Sequence, residues 1–369
     1  MRNRPDGAAA KNRVFRGFAA TGGMDFELFR YSKRLQHFSI YIQKITRKCH
    51  MTIPPKLKKG DTVAITATSG PVNPQKLAAG IKILENMSLK VRIMESCHTT
   101  HSDDASPYLA APDEIRLRDL HTAFSDPDIK GIFAARGGYG AARLLPHLNY
   151  NLIRQNPKIF AGYSDVTALH IALNQICNLV TYHAPMPAAD LPTADLPTLK
   201  SLHQSLFVAT HPQMPKSFEG GLGETFLQKS FPQGFKKGLL KGGNLSVICA
   251  SLGTPYEIDT RGCVLFLEEI DEPPYRIDRM IVQLKQAGKL RDAVGFVLGD
   301  FSPETTETIK LAIGELLVAE GKPVLVGLPC GHCMPNMTLP LGAVAEIRES
   351  LHPLRIYCHP QIPAEHIRF

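Results

Sequence analysis

Apolar and polar positions alternate along the chain in two periods, one of strands and one of helices. Thr62 to Thr68 is a near-continuous apolar run ending in Ser69-Gly70-Pro71, which predicts a buried parallel strand and its exit turn. Asn73 and Pro74 then start a helical period with Leu77, Ile81 and Leu84 on one face. Lys90 to Met94 predicts the second strand. Asp113 and Glu114 open a helix carrying Leu117, Leu120 and Phe124, with the acids at its positive end.

The same alternation continues with strands at Gly131 to Ala135, Ile159 to Tyr163 and Leu179 to Tyr182, and helical stretches between them. Strand-helix-strand order of this kind predicts a doubly wound, flavodoxin-like parallel sheet. Its binding crevice lies past the strand ends, which puts Ser69, Arg136 to Gly140 and Ser164 on one rim. Pro185 to about Gly234 is rich in Pro, Gly, Thr and Ser and reads as connection plus irregular structure. A smaller β/α unit follows, with strands at Cys263 to Glu268, Ala293 to Leu298 and Val324 to Leu328, helices at Arg276 to Gly288 and Glu304 to Ala319, and a final strand pair near 340 to 358. The expected division is an extension over 1–50, a nucleophile domain over 51–186, a connecting segment over 187–236 and a C-terminal domain over 237–369.

Composition removes several function classes. The chain has 369 residues, 44% of them hydrophobic, enough for two cores and too apolar for disorder. No stretch reaches the roughly 18 uncharged apolar residues of a spanning helix. The net charge of +8 is confined to residues 1–50, which hold 11 Lys+Arg against 3 Asp+Glu; the rest of the chain holds 31 of each. A folded part that is neutral lacks the basic groove nucleic acid requires. The first segment lacks the apolar centre of a signal peptide and reads as translated upstream sequence, with Met51 as a natural start. Eight scattered cysteines (Cys49, Cys97, Cys177, Cys249, Cys263, Cys330, Cys333 and Cys358) predict free thiols in a reducing, cytoplasmic compartment.

Candidate chemistry gathers at the strand ends. Ser164, in Phe160-Ala-Gly-Tyr-Ser-Asp-Val-Thr, sits between an apolar strand and a helix, where a sharp turn exposes a nucleophile. Val166 replaces the last glycine of the usual Gly-x-Ser-x-Gly, so Ser164 or Asp165 serving only as a helix cap is the other reading. Arg136-Gly-Gly-Tyr-Gly fails both phosphate-loop fingerprints; its glycines allow close backbone approach to a ligand or simply make a tight turn. Cys330-Gly331-His332-Cys333 suggests a metal or redox site, but no second paired cluster supports one. His332 alone is a candidate general base. Glu268 and Glu269 end an apolar strand on opposite faces, either with a buried partner for one of them or with both exposed.

Together these segments resemble the LD-carboxypeptidase family of serine peptidases, the muramoyltetrapeptide carboxypeptidases of murein recycling, and its microcin-immunity relatives. The resemblance runs from Pro54 to about Leu354. It rests on Arg136-Gly-Gly-Tyr-Gly-Ala-Ala-Arg-Leu-Leu, Gly162-Tyr-Ser-Asp-Val-Thr-Ala, Gly242-Gly-Asn-Leu, Gly253-Thr-Pro-Tyr, Leu265-Phe-Leu-Glu-Glu, Pro274-Tyr-Arg-Ile-Asp-Arg-Met, and Gly331-His332 before Thr338-Leu-Pro-Leu-Gly. It implies Ser164 as nucleophile, His332 as general base and Glu268 as the acid that orients it, with no cofactor and no metal. Backbone N–H groups of Asp165 and Gly138 would hold the oxyanion. The implied reaction releases terminal D-alanine from murein tetrapeptides. An immunity-type peptidase acting on acyl-nucleotide antibiotics, or a phosphate-binding α/β protein, are the alternatives. Expected partners are a murein tetrapeptide or muropeptide and a second copy of the chain, with neither nucleic acid nor a membrane span.

Overall fold

Parallel strands buried on both faces are the framework of the molecule. The computed structural model describes residues 51–98, 106–208, 236–301, 319–347 and 354–357, with Ile313 and Leu317 besides; all of them fall within one compact unit, Lys48–Phe369. The expected extension over 1–50, most of the helix Glu304 to Ala319, and the segments 99–105 and 209–235 lie outside the described residues.

The first sheet contains β1 (Thr62–Thr66), β2 (Lys90–Ile93), β3 (Ile129–Ala134), β4 (Ile159–Gly162) and β5 (Thr181–His183), all parallel, in the order β2-β1-β3-β4-β5. That is the flavodoxin-like order, with the switch point between β1 and β3. Side-chain alternation serves two cores at once. Ile132 and Ala134 of β3 join the cluster under the helix Thr167–Cys177, while Phe133 and Ala135 join the one under the helix Pro74–Asn86. Local signals place the helices. Asn73 Oδ1 accepts from Lys76 N at 2.9 Å and Pro74 occupies the first turn of Pro74–Asn86, as the sequence predicts.

The second sheet holds β6 (Lys236–Asn244), β7 (Cys263–Glu268), β8 (Gly295–Leu298) and β9 (Val324–Val326) in parallel, with β11 (Val344–Ile347) and β12 (Leu354–Tyr357) antiparallel beyond β6. The molecule is thus α/β with two sheets, as expected. Two differences stand out. The strand pair expected near 340 to 358 is β11 with β12, whereas β10 (Leu339–Leu341) is an additional short strand that pairs antiparallel with β5 and finishes the first sheet. Pro340 is tolerated there because β10 is an edge strand.

The second difference is the helix Leu196–Phe207, inside the stretch expected to be irregular. Asp195 caps it by accepting from Thr198 N at 2.9 Å, and Pro197 falls in the first turn, where its missing N–H costs nothing. The proline and threonine content that suggests a loop is here a helix start.

The helix Thr167–Cys177 links the sheets. Asn244 N, at the end of β6, donates to Thr167 Oγ1 at 3.0 Å, and Gln175 Nε2 donates to Glu257 O at 3.1 Å, while on the first sheet's side Asn174 Nδ2 donates to Leu341 O at 3.2 Å. A Cβ on Gly243 would fall 2.4 Å from Thr167 Oγ1, so only glycine lets β6 approach this closely.

Candidate active site

Ser164 follows β4 with φ +63°, a left-handed conformation that costs a non-glycine residue about 1–2 kcal/mol. Strain of this kind at the turn between strand and helix is how a nucleophile is lifted out of the backbone. Glycines beside it make the room. A Cβ on Gly137 would stand 2.9 Å from Ser164 Oγ, and one on Gly162 would stand 2.9 Å from Ala134 Cβ. Val166 lies 3.2 Å from that same point at Gly162, filling the space the missing side chain leaves. Val166 thus packs where Gly162 leaves room, while the close approach to Ser164 itself is made by Gly137 in the loop after β3.

Neither Ser164 nor Asp165 caps the helix that follows, which has no side-chain cap. The capping alternative for that helix is therefore excluded. Asp165 Oδ2 accepts instead from Ala141 N at 2.8 Å, fixing the start of the short helix Ala141–Leu144 behind the glycine loop. Burial raises the Asp165 pKa, against the lowering effects of Ser69, the Ala141 N–H and Arg116. The Asp165 N–H is in the first turn, where helices have no internal acceptor.

Glu268 and His332 are directly joined. His332 Nδ1 lies 2.8 Å from Glu268 Oε2, and the carboxylate is fully buried. Burial alone would raise the Glu268 pKa, but His183 and His332 outweigh it and bring it to about 2. The reverse holds for His332: burial lowers it, and the bond to Glu268 brings it above the ordinary imidazole value. Both acids prove to be buried, which removes the reading of two exposed glutamates. Glu269 accepts from Asn244 Nδ2 at 2.9 Å, Ser246 N at 2.7 Å and Ile270 N at 3.0 Å, on the other side of the strand end.

Ser164 and His332 belong to different sheets and are not hydrogen-bonded to each other. The contact between them runs through Tyr163, whose ring packs edge-on against His332 at 4.8 Å and whose hydroxyl donates to Asp190 Oδ1 at 2.7 Å. Burial is the main cause of the raised Asp190 pKa. Tyr163, Asp190 and His183 were not singled out by the sequence reading. His183 ends β5 at the same rim as Ser164, so the rule that selected the rim residues would have found it.

Cys330 and Cys333 diverge. Cys330 Sγ faces His183 Nδ1 at 3.3 Å, and Cys333 Sγ donates to Pro335 O at 3.2 Å. Burial pushes both thiols up, Cys333 to about 12, so both are protonated at neutral pH. Among the described residues no three His, Cys, Asp or Glu side chains group as metal ligands. No described helix is long and apolar enough to cross a membrane.

Two α/β sheets whose loops converge on a strained serine and a buried carboxylate–imidazole pair have the architecture of a peptidase-type hydrolase. Family models for the LD-carboxypeptidase N-terminal and C-terminal domains match residues 63–184 and 237–347, and the chain belongs to the LD-carboxypeptidase family. A probable murein peptide carboxypeptidase of Bacillus subtilis (strain 168) is 40% identical over 299 residues, covering 79% of this chain and 90% of the relative. The crystal structure of muramoyltetrapeptide carboxypeptidase from Oxalobacter formigenes superposes with a TM-score of 0.67 at 29% identity, covering 80% of this chain and 97% of the other. An MccF-like protein from Bacillus anthracis str. Ames gives a TM-score of 0.70 at 27% identity, covering 83% and 98%.

Proposed function

We propose that the chain is a serine LD-carboxypeptidase that removes terminal D-alanine from murein tetrapeptides. The observation that carries this reading is the 2.8 Å bond from His332 Nδ1 to Glu268 Oε2. It commits the Nδ1 proton to the carboxylate and leaves Nε2 as the base. His332 Nε2 takes the Ser164 proton as Oγ attacks the carbonyl between the L-centre of the diamino acid and D-alanine. Backbone N–H groups of Asp165 and Gly138 receive the oxyanion. The intermediate collapses as His332 returns the proton to the leaving D-alanine amine. Water, activated by the same imidazole, then hydrolyses the acyl-enzyme and frees Ser164. Glu268 holds the ring in the productive tautomer and balances the imidazolium.

The murein assignment is supported by the names of the Bacillus subtilis and Oxalobacter formigenes relatives. The six described cysteines are all free thiols, in keeping with a cytoplasmic, recycling enzyme. A homodimer is the expected assembly, tested by sedimentation. Likeness to the MccF-like fold favours a second reading, hydrolysis of acyl-nucleotide antibiotics at the same residues. Mass spectrometry of products separates the two. Loss of one D-alanine from tetrapeptide fragments supports the first reading; inert tetrapeptides with cleaved acyl sulfamoyl nucleotides would overturn it.

A further inference from the structure

Glu268 has two carboxylate oxygens, and His332 engages only one. Oε1 is buried, makes no hydrogen bond, and lies 3.9 Å from His183 Nε2, which is equally buried and equally unpartnered. That separation is within ion-pair range but beyond hydrogen-bond length; a movement of about 1 Å closes it. Leaving both groups unpaired in a buried site is costly, most of all for the carboxylate.

The tautomer of His183 follows from its other nitrogen. Nδ1 faces Cys330 Sγ at 3.3 Å, and burial keeps that thiol protonated. The S–H therefore donates to Nδ1, which leaves the ring hydrogen on Nε2, the atom nearest Glu268 Oε1. The ring is fixed from both sides, by Tyr163 at 5.2 Å and by Phe266 edge-on at 5.2 Å. The ionisable groups around it are Glu268, Cys330, Asp190, His170 and, through the carboxylate, His332. Glycines crowd the carboxylate as well: a Cβ on Gly331 would fall 3.0 Å from Oε2, and one on Gly299 would fall 3.2 Å from Glu268 Cβ.

We propose that His183 is a positioning residue for Glu268, donating from Nε2 to Oε1 so that Oε2 stays directed at His332 Nδ1. The inference rests on the catalytic roles proposed above for Glu268 and His332. His183 touches no reacting atom; it sets the tilt of the acid that orients the base. A donor on the second oxygen keeps the carboxylate from rotating away as charge develops on His332, so its loss falls on the transition state rather than on substrate binding.

The test measures kcat and KM on a murein tetrapeptide for wild type, His183→Leu and His183→Gln, with fluorophosphonate labelling of Ser164 as a separate arm. His183→Leu should lower kcat at least about tenfold with KM within about twofold, and His183→Gln, whose amide N–H reaches the place of Nε2, should recover most of that loss. If the leucine variant does not fold, His183→Asn replaces it, since its amide reaches the position of Nδ1 and leaves Glu268 Oε1 without a donor. Wild-type kcat in the donor-deleted variant, or equal loss in the glutamine variant, would overturn the role. Absence of fluorophosphonate labelling in an active wild type would overturn the Ser164 reading instead, which keeps the two failures distinct.

Discussion

Glu268 and Glu269 are neighbours in the chain, both buried, and hold entirely different partners: the first pairs with His332, the second ties Asn244 and the start of the helix Leu245–Ala250. Strand alternation sends consecutive side chains to opposite sides, and here that gives one acid an imidazole and the other an amide and two backbone N–H groups. Glu268→Gln should lose about ten-thousandfold in kcat, the cost of removing the acid in comparable triads. Glu269→Gln should keep kcat within a few-fold. It should lower the melting temperature by several degrees, because an amide cannot accept from all three donors and about 1 kcal/mol moves Tm by about 2–4 °C at this size. Paired kinetics and calorimetry on the two variants check this; a reversed result would move the acid by one residue.

Gly137 makes a second, steric prediction. A methyl there would stand 2.8 Å from Ser164 Cβ and 2.9 Å from Oγ, closer than real Cβ contacts come. Gly137→Ala should therefore fold, since the clash is local, but displace Oγ from its line of attack. A misplacement of about 1 Å costs on the order of a hundredfold. Steady-state kinetics beside circular dichroism would show kcat/KM falling by that order with the fold unchanged.

The acid limb of the pH profile is a third. His332 acts as a base only when neutral, and Glu268 holds its pKa above the ordinary imidazole value against the lowering effect of burial. The kcat/KM profile should then fall on acidification through a pKa above about 6.5. In Glu268→Gln the residual activity should show that limb moved to lower pH, because burial is then opposed only by the more distant Asp190 and Glu269. Stability runs by a separate sign. Glu268 is pulled down to about 2, so its contribution is present above the ordinary carboxylate pKa and lost as pH falls toward 2. Acid unfolding followed by fluorescence should be shifted to higher pH in a variant lacking the His332 imidazole.

Much of this was legible in the sequence, for identifiable reasons. Parallel strands buried on both faces leave uninterrupted apolar runs, and a cap such as Asn73 followed by Pro74 marks a helix within four residues, so the first sheet and its rim could be placed. Ser164, Glu268 and His332 stand out as candidates because each follows or ends such a strand. What escaped depends on distant segments. β10 is three residues long with a proline in the middle, and only its pairing with β5 makes it a strand. The helix Leu196–Phe207 was concealed by residues that serve equally in loops and in first turns. His183 gains its significance from Cys330 and Glu268, which are far from it in sequence and come from the other sheet.

The central claim is that Ser164 forms a covalent acyl bond during release of D-alanine. Rapid-quench mass spectrometry of intact protein mixed with a murein tetrapeptide tests it most directly. A transient adduct with the mass of the tripeptide acyl group, mapped to Ser164 and accompanied by free D-alanine, is the expected result. Ser164→Ala should show no adduct and less than about a thousandth of wild-type turnover, since nucleophile removal in such triads costs on the order of a millionfold. D-alanine released by Ser164→Ala at more than that thousandth, with no adduct in the wild type, would contradict the account.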